Sequence, residues 1–297
     1  MIIEKKLTRG GICRLNPIQV GLCGWGDHDL YERGTVSKQK LAVYAGHFPV
    51  VEVDSTYHAI APAARIEAWC NETPDDFRFV VKAYRELTGH GRLEHAPERS
   101  WQQLVAETIA SLEPMRKAGK LSAVLFQFPP WYDCNLKHVN YIRKIRQAFM
   151  DFTLAIEFRH QSWFMPQYQD RTIHFLQENQ LIHVICDEPQ AGLTSVPFIP
   201  VITHPEQVIV RFHGRNVAGW NNTGQPNWRD VRYAYRYSQA EIDALAHEMK
   251  QLVKATKQLT LLFNNNSQGD AQESARLMID TLGIRFTGLA PKQLTFF

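Results

Sequence analysis

The chain has 297 residues, long for a simple two-layer domain and ample for one (β/α) barrel or two smaller domains. Hydrophobic residues make up 44% and charged residues 21%, and 33 basic against 30 acidic residues leave a net charge of +3. So even a balance gives no bulk argument for a nucleic-acid partner, and such a partner, although possible, is not favoured. Cys13, Cys23, Cys70, Cys134 and Cys186 are widely scattered with no C-x-x-C pair, which points to neither a disulfide framework nor a zinc site. No apolar run approaches the roughly 18 residues of a membrane span, and the N-terminus lacks a secretory h-region. A cytoplasmic protein without a membrane partner is expected.

Short β-rich runs bounded by turn residues recur in a regular series. In order they are "QVGLCGW", "VVEVDST", "FRFVVKA", "SAVLFQF", "TLAIEFR", "LIHVICDE", "QVIVRFHG" and "QLTLLFNN". Helix-length segments lie between most of them. "SKQKLAVYAGHF" is amphipathic, with Ser37 read as its N-cap, and "ERSWQQLVAETIASLEPMRKAG" is periodic up to Gly119. "KHVNYIRKIRQAF", "QDRTIHFLQEN", "SQAEIDALAHEMKQLVKAT" and "GDAQESARLMIDTLG" follow the same logic, and "SQAE" is a capping box. The sixth crossover, "PQAGLTSVPFIPVITHPE", holds four prolines and no helical pattern, so a loop is expected there. Eight strand–helix units with continuous apolar strands predict an α/β fold, a single TIM-type (β/α)8 barrel. Its bounds are residues 1–297, with 1–18 as an N-terminal extension; a doubly wound open sheet is the alternative.

Residues two apart face the same side of a strand. Glu52 and Asp54 share a face on the second run, as do Glu157 and Arg159 on the fifth and Arg211 and His213 on the seventh. Lys82 lies in line with Val80, Gln127 with Leu125, Asp187 closes the sixth run, and Asn264 and Asn266 finish the eighth. Polar groups thus gather at the C-terminal ends of the strands, where a TIM barrel forms its active-site mouth. Buried unpaired they would be costly, so they pair with one another, with water or with a ligand. A structural ion-pair layer and a functional site both satisfy that demand.

The same runs carry a family resemblance. "VEVDSTYHAI", "FRFVVKAYRELTGH", "FQFPP", "AIEFRHQSW", "RFHGRN" and "LFNNNSQGDAQESA" resemble, in order, signatures of the YecE-like family, a domain of unknown function (number 72 in that series). The resemblance spans nearly the whole chain and implies a TIM barrel with these motifs at its mouth, but no established reaction. It maps family polar positions onto Glu52, Lys82, Gln127, Glu157, Arg159, His160, Trp163, Asp187, Arg211, His213, Gly214, Asn264 and Asn265. Departures occur: Asp54 stands where an amide is usual, Cys23 where a hydroxyl is common, "GDHDLY" follows "GW" where an aromatic is expected, and "NNN" replaces "NNH".

Lys82, Arg159, Arg211 and Arg215 are cations suited to a small anionic ligand, a phosphate or carboxylate. Glu157 reads as the principal acid or base, with Asp187, His213 and Glu52 as further proton carriers. Gln127, Asn264, Asn265 and His160 would orient the ligand, and Trp25, Tyr57 and Trp163, with Trp131 and Trp220, would rim it. No cofactor and no metal are assigned. Glu157, Asp187 and His213 end three consecutive strands, so a divalent ion is possible, but no tight ligand motif is present and the nearby cations oppose one. The reading is an enzyme (lyase, isomerase or hydrolase) acting on a small anionic metabolite by acid–base chemistry. Two alternatives stay open. One is a nucleic-acid binder or phosphodiester-cleaving repair protein tracking the backbone with Arg229, Arg232 and Arg236 of "NWRDVRYAYRYS"; the other is a non-catalytic ligand sensor.

Overall fold

The computed structural model describes residues 17–95, 98–221, 231–265 and 269–291. Eight parallel strands close into a barrel in sequence order, β1 (Ile18–Cys23), β2 (Val50–Val53), β3 (Arg78–Lys82), β4 (Leu121–Gln127), β5 (Leu154–Glu157), β6 (Ile182–Asp187), β7 (Gln207–Phe212) and β8 (Gln258–Phe263). Each is rich in Val, Ile, Leu or Phe and buried almost end to end, which a sheet covered on both faces requires. The outer layer comprises α1 (Lys40–Ala45), α2 (Ala63–Asn71), α3 (Trp101–Lys117), α4 (Leu136–Ala148), α5 (Gln169–Glu178), the short α6 (Val217–Trp220), α7 (Gln239–Leu252) and α8 (Asp270–Leu282). The β6–β7 crossover has only a 3-10 turn at Gly192–Thr194, as its four prolines predict.

Local chemistry sets the element ends. Ser100 with Gln103 and Ser238 with Glu241 close reciprocal capping boxes at the starts of α3 and α7. Gly119, in the left-handed region at φ 67°, follows the end of α3. At Gly21 a Cβ would lie 2.0 Å from the Val50 carbonyl oxygen, so β1 and β2 approach this closely only with glycine there. Ser37 is not a cap: it begins a 3-10 turn (Ser37–Gln39) ahead of α1. Helix α2 has no counterpart among the segments read from sequence, because it buries only Ile66 and Cys70. Several strands are also shorter than their sequence runs, so that Arg159, Glu188, His213 and Asn264 lie just past strand ends, on the loops of the mouth.

Candidate active site

Two guanidinium groups and three carboxylates close a buried network at the C-terminal end of the barrel. Arg211, on β7, donates from Nε and Nη2 to the two oxygens of Glu52 on β2 (2.8 and 2.6 Å). Its Nη1 donates to Glu157 Oε2 on β5. Arg159 donates from Nε to the other Glu157 oxygen and from Nη1 to Glu188 Oε2 (3.0 Å). Each oxygen of Glu157 therefore faces its own arginine. Glu52, Glu157 and His213 are 0% exposed, Arg211 1% and Arg159 3%. Fork-to-carboxylate geometry of this kind is what lets such charges stay inside a protein. The arginines read from sequence as an anion clamp thus spend their forks on internal carboxylates.

Protonation states follow from the same contacts. Burial works to raise the Glu157 carboxyl, but Arg159 and Arg211 together hold it well below the usual carboxylate range. Burial pushes Glu52 up to about 7 against the pull of Arg211, and Glu188 up to about 7 against that of Arg159. His213 is kept neutral by burial and by the same two cations. Its Nε2 lies 3.1 Å from Arg159 Nη2 and 3.6 Å from Glu157 Oε1. Its Nδ1 accepts from Asn264 Nδ2, 2.9 Å away.

A buried carboxyl whose folded pKa is raised contributes stability fully below its unfolded value and loses it as pH rises through the folded one. For Glu188 that window runs from 4.5 to about 7. The stability of the native chain relative to Glu188→Gln is expected to fall by up to about 3 kcal/mol between these limits, measured by denaturant unfolding at a series of pH values. A difference that stays flat, or rises, across the window refutes the assignment.

Toward solvent the network ends at a rim. Lys82 Nζ lies 3.5 Å from Asp54 Oδ1, with side chains 15% and 39% exposed. Burial lowers the ammonium pKa, yet Asp54, Glu52 and Glu157 together outweigh it and Lys82 stays charged. It sits 5.1 Å from the centroid of the Tyr57 ring, which Arg85 also approaches at 5.5 Å. His90 packs edge-on against Tyr57 (5.2 Å), and burial together with Lys82, Arg85 and Arg159 drives its pKa down to about 4. Gln127, half-buried, accepts a long bond from Arg211 (3.5 Å).

Other residues read from sequence lie elsewhere. Asp187 joins a separate cluster: it accepts from Arg215 Nη2 (2.7 Å) and Tyr237 Oη (2.6 Å), and Arg215 also reaches Glu241 (3.2 Å). The parity rule explains the split, since Cys186 and Glu188 lie on one side of β6 and its extension and Asp187 on the other. Asn265 is buried and ties Tyr235 O to Ser274 Oγ. Gly214, at φ 82°, lies where a Cβ would stand 2.5 Å from Tyr235 Cβ, and its N–H donates to Tyr237 Oη. Trp163 does not rim the mouth: it is 0% exposed and stacked on Phe158 at 4.0 Å. His160 caps the turn at Gln161–Phe164 through Ser162 N, and Trp25 packs edge-on against Trp69. Glu188 and His90 were not singled out from sequence, and Tyr237 was read only as an aromatic of the basic–aromatic segment; period-two counting one residue further would have found Glu188.

Two groups of potential metal ligands occur among the described residues, Glu157 with Cys186 and His213, and Cys23 with Glu52 and Asp54. Burial raises both thiols far above their ordinary range, and guanidinium groups already occupy the oxygens of Glu52 and Glu157, so neither donor set suits a cation. For the basic–aromatic segment, Arg229 and Trp228 lie outside the described residues, as do Asn266 and the extension up to residue 16. Arg236 is paired with Asp270 (2.8 Å) and Glu273 (3.0 Å), and Arg232 lies 3.8 Å from the centroid of the buried Trp220 ring. No described helix is long and apolar enough to cross a membrane.

Fold and mouth together define a closed parallel α/β barrel with a charged site at the C-terminal ends of its strands. The chain belongs to the family described as "Protein of unknown function DUF72", whose model matches residues 19–295. It is 45% identical over 282 residues to the UPF0759 protein YunF of Bacillus subtilis (strain 168), covering 94% of this chain and all of that one. It is 24% identical over 158 residues to the UPF0759 protein YecE of Escherichia coli (strain K12), about half of each chain (53% and 54%). A crystal structure of a DUF72 family protein from Enterococcus faecalis V583 superposes with a TM-score of 0.86 at 38% identity, covering 93% of this chain and 99% of that one. One from Thermotoga maritima MSB8 gives 0.77 at 27%, covering 91% and 100%.

Proposed function

We propose that the chain is an enzyme acting on a small phosphorylated or carboxylated metabolite by acid–base chemistry at the barrel mouth. The observation that carries this reading is that the charge network, saturated internally at Arg159 and Arg211, meets solvent at the Lys82–Asp54 pair. A partly exposed ammonium whose acidic partner is itself exposed can exchange that partner for a ligand anion, whereas the buried forks cannot without stranding a carboxylate. Lys82 is therefore the anion-holding group, and Gln127 and Asn264 orient the ligand. Glu52, within electrostatic reach of Lys82 and titrating near neutrality, is the favoured proton carrier. Glu157 acts as a fixed negative charge that positions both arginines rather than as the acid.

The test is a thermal-shift screen of phosphorylated and carboxylated metabolites, followed by turnover assays on those that stabilise the chain. A Lys82→Met variant is expected to weaken binding about tenfold or more while keeping the native melting temperature. If no such anion stabilises the native chain, or Lys82→Met binds it unchanged, the reading is wrong. Binding with no turnover of any stabilising ligand would leave a sensor in place of an enzyme.

A further inference from the structure

A second site lies outside the network, on the outer side of the mouth. A cavity of about 440 Å³ runs between Gly89, at the turn following β3, and helix α4, within the size range of small-molecule sites. Helix α4 builds one wall by spacing alone: Lys137, Asn140, Tyr141 and Lys144 stand at i, i+3, i+4 and i+7, on one face. Tyr141 fixes that wall to the opposite one, donating to Leu87 O (3.0 Å) and accepting from Trp101 Nε1 (3.2 Å). Tyr132 is locked in a stack between Phe128 (4.1 Å) and His138 (3.9 Å).

Against these fixed parts stands Trp131, 64% exposed, with His90 edge-on at 5.9 Å. An indole left open beside a rigid aromatic wall is a stacking platform for a planar ring. The charge is one-sided. Lys137 and Lys144 are exposed, the Lys144 ammonium resting 3.6 Å from the centroid of the Trp101 ring, and no acid among the described residues lines the cavity, while Asp133, on the same loop, is already engaged by Asn135 (2.6 Å) and His138 (3.0 Å). Seven residues of helix set the two lysines roughly 10 Å apart along its axis, so that they can hold an extended anion from both ends.

We infer that this groove binds a free nucleotide, its base stacked on Trp131 and its phosphates held by Lys137 and Lys144. The inference is independent of the chemistry assigned to the mouth. Isothermal titration of the full chain with ADP tests it, with adenosine and pyrophosphate as the separate halves of the ligand. ADP is expected to bind with a Kd below about 1 mM, and each half about tenfold or more weaker. Trp131→Ala and the double change Lys137→Glu/Lys144→Glu, all at exposed positions, are each expected to weaken ADP about tenfold without lowering the melting temperature, and Lys82→Met to leave it unchanged. Absence of saturable ADP binding overturns the inference, as does ADP binding that survives both changes or that Lys82→Met abolishes. An oligonucleotide bound more tightly than ADP through the same residues overturns the free-nucleotide assignment.

Discussion

Arg211→Met is expected to destabilise the fold by about 3–5 kcal/mol, the cost of breaking a buried ion pair from one side. Arg211 makes two bonds to Glu52 and one to Glu157, and all three residues are at most 1% exposed. Methionine fills much of the volume but answers neither charge. Arg159 still covers one oxygen of Glu157, so the heavier loss falls on Glu52. That carboxyl already titrates near 7 with its arginine present, and without it the pKa rises further. Relative to the native chain the variant should therefore lose further stability as pH rises above about 7, where native Glu52 is already ionised and the variant's is not. Adding Glu52→Gln should recover part of the loss at neutral pH, since an amide can stay buried at lower cost than an unpaired carboxylate. Denaturant unfolding of the single and double variants at two pH values measures both effects. A loss smaller than about 1 kcal/mol, or a double variant worse than the sum of its parts, would show that the network does not neutralise itself as described.

How much of this was legible in sequence depends on the range of the interaction. The barrel was readable because each strand announces itself locally, as an apolar run ended by polar residues. The capping boxes at Ser100 and Ser238 and the proline-broken sixth crossover are equally local. Helix α2 escaped because two buried residues make no periodic pattern. The gathering of Glu52, Glu157, Arg159, Arg211 and His213 at one mouth followed from parity and the closed topology. Which cation would meet which carboxylate did not, because Arg211 and Glu52 are 159 residues apart and nothing local encodes the pairing. This matters for function, since the same arginines are a ligand clamp when unpaired and a structural brace when paired. Asp187 and Glu188 show the finest limit: one residue of register moves a carboxylate from the Arg159 network to the Arg215–Tyr237 cluster. His90 was invisible for another reason, since only the packing of the β3–α3 loop brings it to Tyr57 and Lys82.

Trp163 is the case in which a residue of the site motif proves to belong to the core, and Trp163→Ala is expected to cost about 3–5 kcal/mol. Its indole is fully buried, lies 4.0 Å from the Phe158 ring at an interplanar angle of 15°, and continues toward Tyr132 at 6.2 Å. Its Nε1 donates to the Tyr132 carbonyl (2.7 Å), joining the loop after β5 to the loop after β4. Alanine would leave a large cavity and an unsatisfied carbonyl in one step. Trp163→Phe keeps most of the stack and loses the bond, so a smaller cost of roughly 1–3 kcal/mol is expected. Neither change removes a group that faces the mouth, and Phe158 separates this stack in sequence from Glu157 and Arg159, which point the other way. Folded Trp163→Phe should accordingly bind an anion at Lys82 with native affinity while unfolding at lower denaturant. Should it instead keep native stability and lose the ligand, Trp163 would be a contact residue after all, and the division between core stack and charged mouth would have to be redrawn.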